Sequence, residues 1–387
     1  MNTTTPLNWE ENGKPRSAVW RAEGAAPRRV VLADDTLTAD AAYRLACEGT
    51  ALLWRGDFQN ARQLLQAMMR RLDKPPKRKT RGKNQPTPAI DPATAFHTHR
   101  QAQAQRARVL NMLLVEMKDD YSIDLRRAPD VKQACNEAWG RSDGKAGVTT
   151  LRSLQGLIGA HEWRKKGVEV SALGSAHNHI HPHYAVFSPV RGEYVDLIAQ
   201  TPLPDALQTT PLAFDIGTGS GVLAAVLARR GVAQVVATDV SDRALTCAKD
   251  NLQRLDLTRQ VELLKSDAFP PGQAALVVCN PPWLPARPTS ILEQAVYDEG
   301  SQMLKGYLAG LASHLCTGGE GWLILSDLAE HLGLRTRDEL LGWIEAGGLK
   351  VLGRVDTLPR HAKAHDANDP LHTARAAEVT SLWRLGV

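Results

Sequence analysis

Three glycines stand at alternate positions in Asp215-Ile-Gly217-Thr218-Gly219-Ser220-Gly221. Glycine has no side chain to hold a ligand off and accepts positive φ, so a glycine turn between strand and helix brings bare backbone close to a ligand. An apolar run, residues 211–214, leads into this turn, and residues 222–230, built from good helix formers, lead out of it. The spacing departs from the dinucleotide fingerprint G-x-G-x-x-G, because Val222 holds the place of its third glycine. That disfavours a nicotinamide oxidoreductase. Asp215, at the mouth of the turn, would repel a pyrophosphate and suits a cationic amino-acid group. A second acid, Asp239, closes the next apolar strand, residues 234–238, and lies 20 residues past Gly219. A carboxylate at that place can take both hydroxyls of a ribose in charge-assisted hydrogen bonds.

The pattern Asp-x-Gly-x-Gly-x-Gly resembles the first motif of class I S-adenosylmethionine-dependent methyltransferases. An uncharged strand ending in Asn280-Pro281-Pro282-Trp283 resembles the fourth motif of those that methylate a nitrogen conjugated with a planar group, either a base amine or a glutamine amide. The stretch from Tyr184 to Tyr194 is similar to the segment before the first motif in the small-methyltransferase superfamily. That superfamily includes release-factor and ribosomal-protein glutamine methyltransferases and ribosomal-RNA guanine methyltransferases. The resemblance covers residues 181–387. It implies a Rossmann-like seven-stranded α/β sheet with an antiparallel last strand, and S-adenosyl-L-methionine as cofactor. Asp215, Gly217, Thr218, Gly219 and Gly221 would seat the cofactor, Asp239 its ribose, and Asp267 with Ala268 its adenine, with Asn280 bordering both cofactor and acceptor.

The same resemblance assigns the chemistry. A conjugated nitrogen has a delocalised lone pair and is a poor nucleophile. The Asn280 side-chain oxygen and the Pro281 carbonyl would each accept one of its N–H groups, and the paired prolines would hold that carbonyl stiffly. Trp283 would offer a flat face to the planar acceptor. Positioning would supply most of the rate, with no metal demanded. One departure is informative: tyrosine is usual in the glutamine enzymes and phenylalanine in many RNA enzymes, where this chain has Trp283.

Further elements are expected to complete that domain. These are helices over 242–255, 302–315 and 337–346, strands over 261–264, 275–279 and 321–325, a turn at Gly318-Gly319, and a terminal strand pair over 351–355 and 379–385. Between the last two strands, residues 359–378 carry Arg360, His361, Lys363, His365 and His372, a loop able to gate or contact the acceptor. His177, His179, His181 and His183 alternate, as metal ligands on an extended segment would. Pro182 breaks the pattern and no acid or cysteine adjoins, so a loop over the cofactor pocket is the favoured reading.

The front of the chain has another character. Residues 1–170 hold 29 Lys and Arg against 19 Asp and Glu, leaving 18 against 23 for the rest. Helical periodicity over 38–49, 58–72, 97–118, 131–138 and 149–163, beside one short strand over 28–33, predicts a mainly helical region 1–72, a basic proline-rich linker 73–95 and a helical region 96–175. The catalytic domain is expected over 176–387, its core over 205–387. A basic front suits a polyanion, which places RNA (ribosomal RNA above all) slightly ahead of a translation protein as partner. A non-catalytic RNA-binding protein that kept a methyltransferase fold is the rival reading. The five cysteines are scattered without metal-ligand spacing, and no run of about 18 apolar residues is present, so a reducing, cytoplasmic setting is expected.

Overall fold

The computed structural model describes residues 5–73, 91–360 and 366–387. Most of the expected basic linker, residues 74–90, and His361, Lys363 and His365 lie outside them. The chain divides into two units, the described residues 5–73 and 97–162 forming one, and 91–96 with 163 onward the other.

The first unit holds a six-stranded sheet where a mainly helical region was expected. Strand β1 (Pro6–Glu11) alternates buried Leu7 and Trp9 with exposed neighbours, the period of a half-buried strand. Asn12 and Gly13, at φ 53° and 70°, turn it back into β2 (Lys14–Trp20). A two-residue hairpin of right-handed twist demands positive φ at both positions, and Asn-Gly meets that demand. Next come β3 (Arg29–Ala33), α1 (Ala39–Cys47), β4 (Thr50–Trp54), α2 (Phe58–Leu72), α3 (Pro92–Leu110) and β5 (Leu113–Met117). Strands β3, β4 and β5 are parallel neighbours. After α4 (Lys132–Trp139), β6 (Gly147–Thr150) pairs antiparallel with β5 and parallel with β2, and α5 (Leu151–Lys166) follows.

The expected helix over 97–118 therefore divides. It starts at Pro92, inside the expected linker, and stops at Leu110; Leu113, Leu114 and Met117 belong to a buried strand. Their spacing fits a helix face, but the sheet offers β5 a place beside β4, and tertiary pairing outweighs local propensity.

The second unit opens with the short pair β7 (Val168–Glu169) and β8 (His179–Ile180), then α6 (Glu193–Gln200). Its seven-stranded sheet has the order β11-β10-β9-β12-β13-β15-β14. The strands are β9 (Leu212–Ile216), β10 (Gln234–Asp239), β11 (Val261–Lys265), β12 (Ala274–Cys279), β13 (Leu315–Ser326), β14 (Lys350–Thr357) and β15 (Thr380–Gly386). All pairings are parallel except those of β15, which runs antiparallel to both its neighbours, as expected. Helices α7 (Val222–Arg229) and α8 (Asp242–Arg254) bring residues to one core, and α9 (Gln302–His314) and α11 (Arg337–Ala346) to the other. The strands alternate between them: Leu276 and Val278 face the first core, Val277 and Cys279 the second. Among the described residues no helix is long and apolar enough to cross a membrane.

Candidate active site

The strand order reverses between β9 and β12, and in open α/β sheets ligands bind outside the carboxyl ends of strands at such a switch point. The register makes this concrete. Ile216 lies opposite Thr238 of β10 on one side and Cys279 of β12 on the other. The residues that come next, Gly217, Asp239 and Asn280, therefore leave three adjacent strands at one edge.

The glycine turn is built as its spacing predicts. Gly217, Gly219 and Gly221 have φ of 73°, 56° and 81°, a region that costs L side chains about 1–2 kcal/mol. A Cβ on Gly221 would also meet Ala248 of α8 at 3.2 Å. Thr218 is tied back by its N–H to the Thr238 carbonyl at 2.8 Å. Gly221 is the N-cap of α7 and brings no side chain of its own, so the first turn is held from β9, where Asp215 accepts from the Ala224 N–H at 3.1 Å. The start of α7 follows the carboxyl end of β9, and its dipole favours negative charge there.

Asp215 differs from expectation. It is almost fully buried, and its Oδ2 accepts from the Thr218 hydroxyl at 2.7 Å and the Ala224 N–H at 3.1 Å. Burial raises its pKa to about 6, the two hydrogen bonds oppose this, and the charge of Asp239 adds to it. This carboxylate braces the turn from behind, reaching a ligand through its field. Asp239 is half-buried and clamps the turn from the front, its Oδ2 accepting from Gly219 N–H at 3.0 Å and its Oδ1 from Ser241 N–H at 2.9 Å. Asp267 and Ala268 are exposed beyond β11, and the Thr238 hydroxyl donates to the Ala268 carbonyl at 3.0 Å, fixing that loop.

On the acceptor side, Pro281 is buried, while Asn280, Pro282 and Trp283 are half-buried. The Trp283 ring packs against both hydrophobic cores, and its indole N–H donates to Asn280 Oδ1 at 2.9 Å. The residues that follow fold over the same edge. Leu284 and Ala286 pack with Tyr297, with Phe96, and with residues of α10 (Leu328–His331) and α12 (His372–Ala377).

Three residues that the sequence reading passed over complete the edge. Asp298 accepts from the N–H groups of Gln302 and Met303, each at 2.9 Å, at the start of α9, and burial raises its pKa. It thereby sets Met303, whose Cε occupies the place a Cβ on Gly217 would take. Asn251, fully buried, donates to the Ser220 carbonyl at 3.0 Å and accepts from His181 N–H at 2.8 Å. An acid just before a helix and an asparagine on the apolar face of α8 were the available signals. Asn251 also anchors the histidine segment. His181 donates its backbone N–H to Asn251, and His183 Nε2 lies 3.0 Å from Asp250, so these two hold the segment to α8. Among the described residues no group of three or more His, Cys, Asp or Glu is placed to hold a metal ion.

Sheet order, glycine turn and strand-end acids are arranged as the resemblance to class I S-adenosylmethionine-dependent methyltransferases implies. Residues 201–309 match the family described as ribosomal protein L11 methyltransferase (PrmA). The chain is 32% identical over 189 residues to the release factor glutamine methyltransferase of Cereibacter sphaeroides, covering 45% of this chain and 63% of that protein. It is 49% identical over 75 residues to the ribosomal protein L11 methyltransferase of Pelobacter propionicus, covering 18% of this chain and 23% of that one. The chain thus spans less than two thirds of the curated relatives it matches. Among solved structures, a methyltransferase from Thiobacillus denitrificans in complex with S-adenosyl-L-homocysteine aligns over 56% of this chain and 99% of its own, with 17% identity and a TM-score of 0.33.

Proposed function

We propose that the protein is an S-adenosylmethionine-dependent N-methyltransferase acting on the side-chain amide of a glutamine in a translation protein. The observation that carries the reading is the register: Asn280 and Pro281 leave β12 beside the strand that delivers the glycine turn. An acceptor nitrogen held there faces the cofactor edge. The turn fits the cofactor's amino-acid end, with backbone donors at α7 for its carboxylate and the field of Asp215 and Asp239 for its ammonium. When bound, the cofactor supplies a methyl group already activated on a sulfonium.

The chain's own residues then do the positioning. Asn280 Oδ1 and the Pro281 carbonyl each accept one N–H of the amide, turning its lone pair out of conjugation and towards the methyl. The amide nitrogen, held by Asn280 and Pro281, would take the methyl group and release a proton to water, with the carbon–sulfur electron pair staying behind in a neutral thioether. No strong base is demanded.

The names of the relatives support the glutamine reading, and they move the balance away from the RNA base suggested by the basic front half. To test it, purified protein is incubated with methyl-labelled donor and extract from cells lacking it. Label is expected in protein, on glutamine; label entering only RNA would overturn the glutamine reading in favour of a base amine.

A further inference from the structure

Asparagine followed by two prolines poses a problem of hydrogen bonding. An asparagine oxygen usually finds the backbone N–H two residues on, closing an Asx-turn. Here that residue is Pro282, which has no N–H, and neither has Pro281. The stretch that fixes the backbone so stiffly removes the donors that would fix the Asn280 amide. Left alone, that amide can present its oxygen or its NH2 to the acceptor, and only the oxygen accepts.

The structure assigns the missing donor to Trp283, and we infer that its indole N–H is the positioning group that sets the Asn280 amide for methyl transfer. The indole nitrogen only donates, so the atom 2.9 Å away is the amide oxygen and not its nitrogen. The ring is half-buried and packed against both cores, so the donor is held in place by the fold. One of the two lone pairs of Oδ1 is committed to Trp283, and the other remains for one N–H of the acceptor. The Pro281 carbonyl takes the second N–H. A phenylalanine in this place would keep a flat face and lose the donor. Trp283 therefore does more than present a ring: it decides which end of Asn280 the acceptor meets.

This inference rests on the amide-methylation reading above, and the test separates the two. Trp283→Phe is compared with the unaltered protein for donor affinity, acceptor KM and kcat. The expected result is a kcat lower by about 10–100-fold, the range of a catalytic group misplaced by about an ångström. Donor Kd and acceptor KM should stay within about threefold, which a general loss of packing would not produce. Unchanged kcat overturns the assignment, because the ring alone would then suffice. A second measurement leaves the Trp283 side chain in place. Among nine tryptophans, the 1H–15N indole resonance absent from Trp283→Phe identifies Trp283, and in Asn280→Ala that resonance should shift as its acceptor is lost. An unmoved resonance overturns the assignment too. Should the unaltered protein transfer no methyl at all, the methylation reading falls, and the indole resonance still decides the contact.

Discussion

Both units are built on a sheet with parallel strands joined through helices, yet their strand ends are finished in opposite ways. In the first unit, β3 runs into Asp34, Asp35 and Thr36, and polar side chains bond to neighbouring backbone beside a cavity lined by Leu32, Asp34, Thr38 and Arg55. Asp34 accepts from Thr36, Thr38 caps α1 by accepting from Ala41 N–H, Asp35 accepts from Asp57 N–H, and Asp57 caps α2 by accepting from Gln59 N–H. Arg55, at the end of β4, is taken up by a bidentate pair with Glu11 and by Glu116. In the second unit the corresponding strand runs into three positive-φ glycines, and the N-cap of α7 is a glycine whose helix is held by Asp215 from the strand before it. The helix starts of the first unit carry polar side chains of their own, whereas the second unit leaves side-chain-free glycine backbone at a switch point, where open α/β sheets bind ligands.

That contrast can be broken or sharpened by experiment. The largest effect is expected at Asn280. Asn280→Ala should lower kcat by about 10²–10³-fold, the cost of removing one pre-set polar partner of a transition state, while donor affinity measured by calorimetry stays near that of the unaltered protein. Next come paired glycine substitutions. Gly219→Val puts a β-branched residue at φ 56° and should abolish measurable donor binding. Gly56→Ala in the first unit puts a Cβ within 2.8 Å of the Asp35 backbone nitrogen; it should lower stability to thermal denaturation by about 1–3 kcal/mol and leave donor affinity unchanged. A donor affinity that responds to Gly56→Ala would break the contrast.

Asp239→Ala removes an ionised acceptor and the clamp on Gly219, and donor affinity should fall by about 10–100-fold, the worth of a charge-assisted hydrogen bond. The smallest effect is a pH dependence. The Asp215 carboxyl is pushed up to about 6, chiefly by burial. A cationic donor favours its ionised form, so donor affinity should rise as pH climbs through about 6, and the rise should flatten in Asp215→Asn. The stability contribution has the opposite sign. The folded pKa exceeds the unfolded one, so the stabilisation from this group is complete below about 3.8 and lost as pH rises through about 6.

How much of this was legible from residues alone differs between the units. The glycine turn, the strand-end acids and Asn-Pro-Pro-Trp were readable because each restricts the backbone or a charge within a few residues. The helices α2 and α11 were likewise readable, the first from its apolar stripe and the second with the bounds it has in the structure. The first unit misled because its clearest local signals, the apolar faces of α1 and α2, are helical, while its strands are short. Asn12-Gly13 between Trp9 and Val19 was the available sign of a hairpin and was passed over. The four-residue β6 and the five-residue β5 carry no periodicity long enough to tell strand from helix. Their identity comes from neighbours distant in sequence.

The sequence by itself determined the local devices: glycines where φ must be positive, prolines where a carbonyl must stand still, acids at the ends of apolar strands. Those follow from sterics and charge within single turns. Tertiary structure decided what the devices serve. It turned Asp215 inwards to brace the loop, set Met303 against Gly217 through Asp298, and gave Asn280 the indole of Trp283 as its donor. Which side chain meets which across the fold is chosen by packing, and packing is settled only when the whole sheet has closed around them.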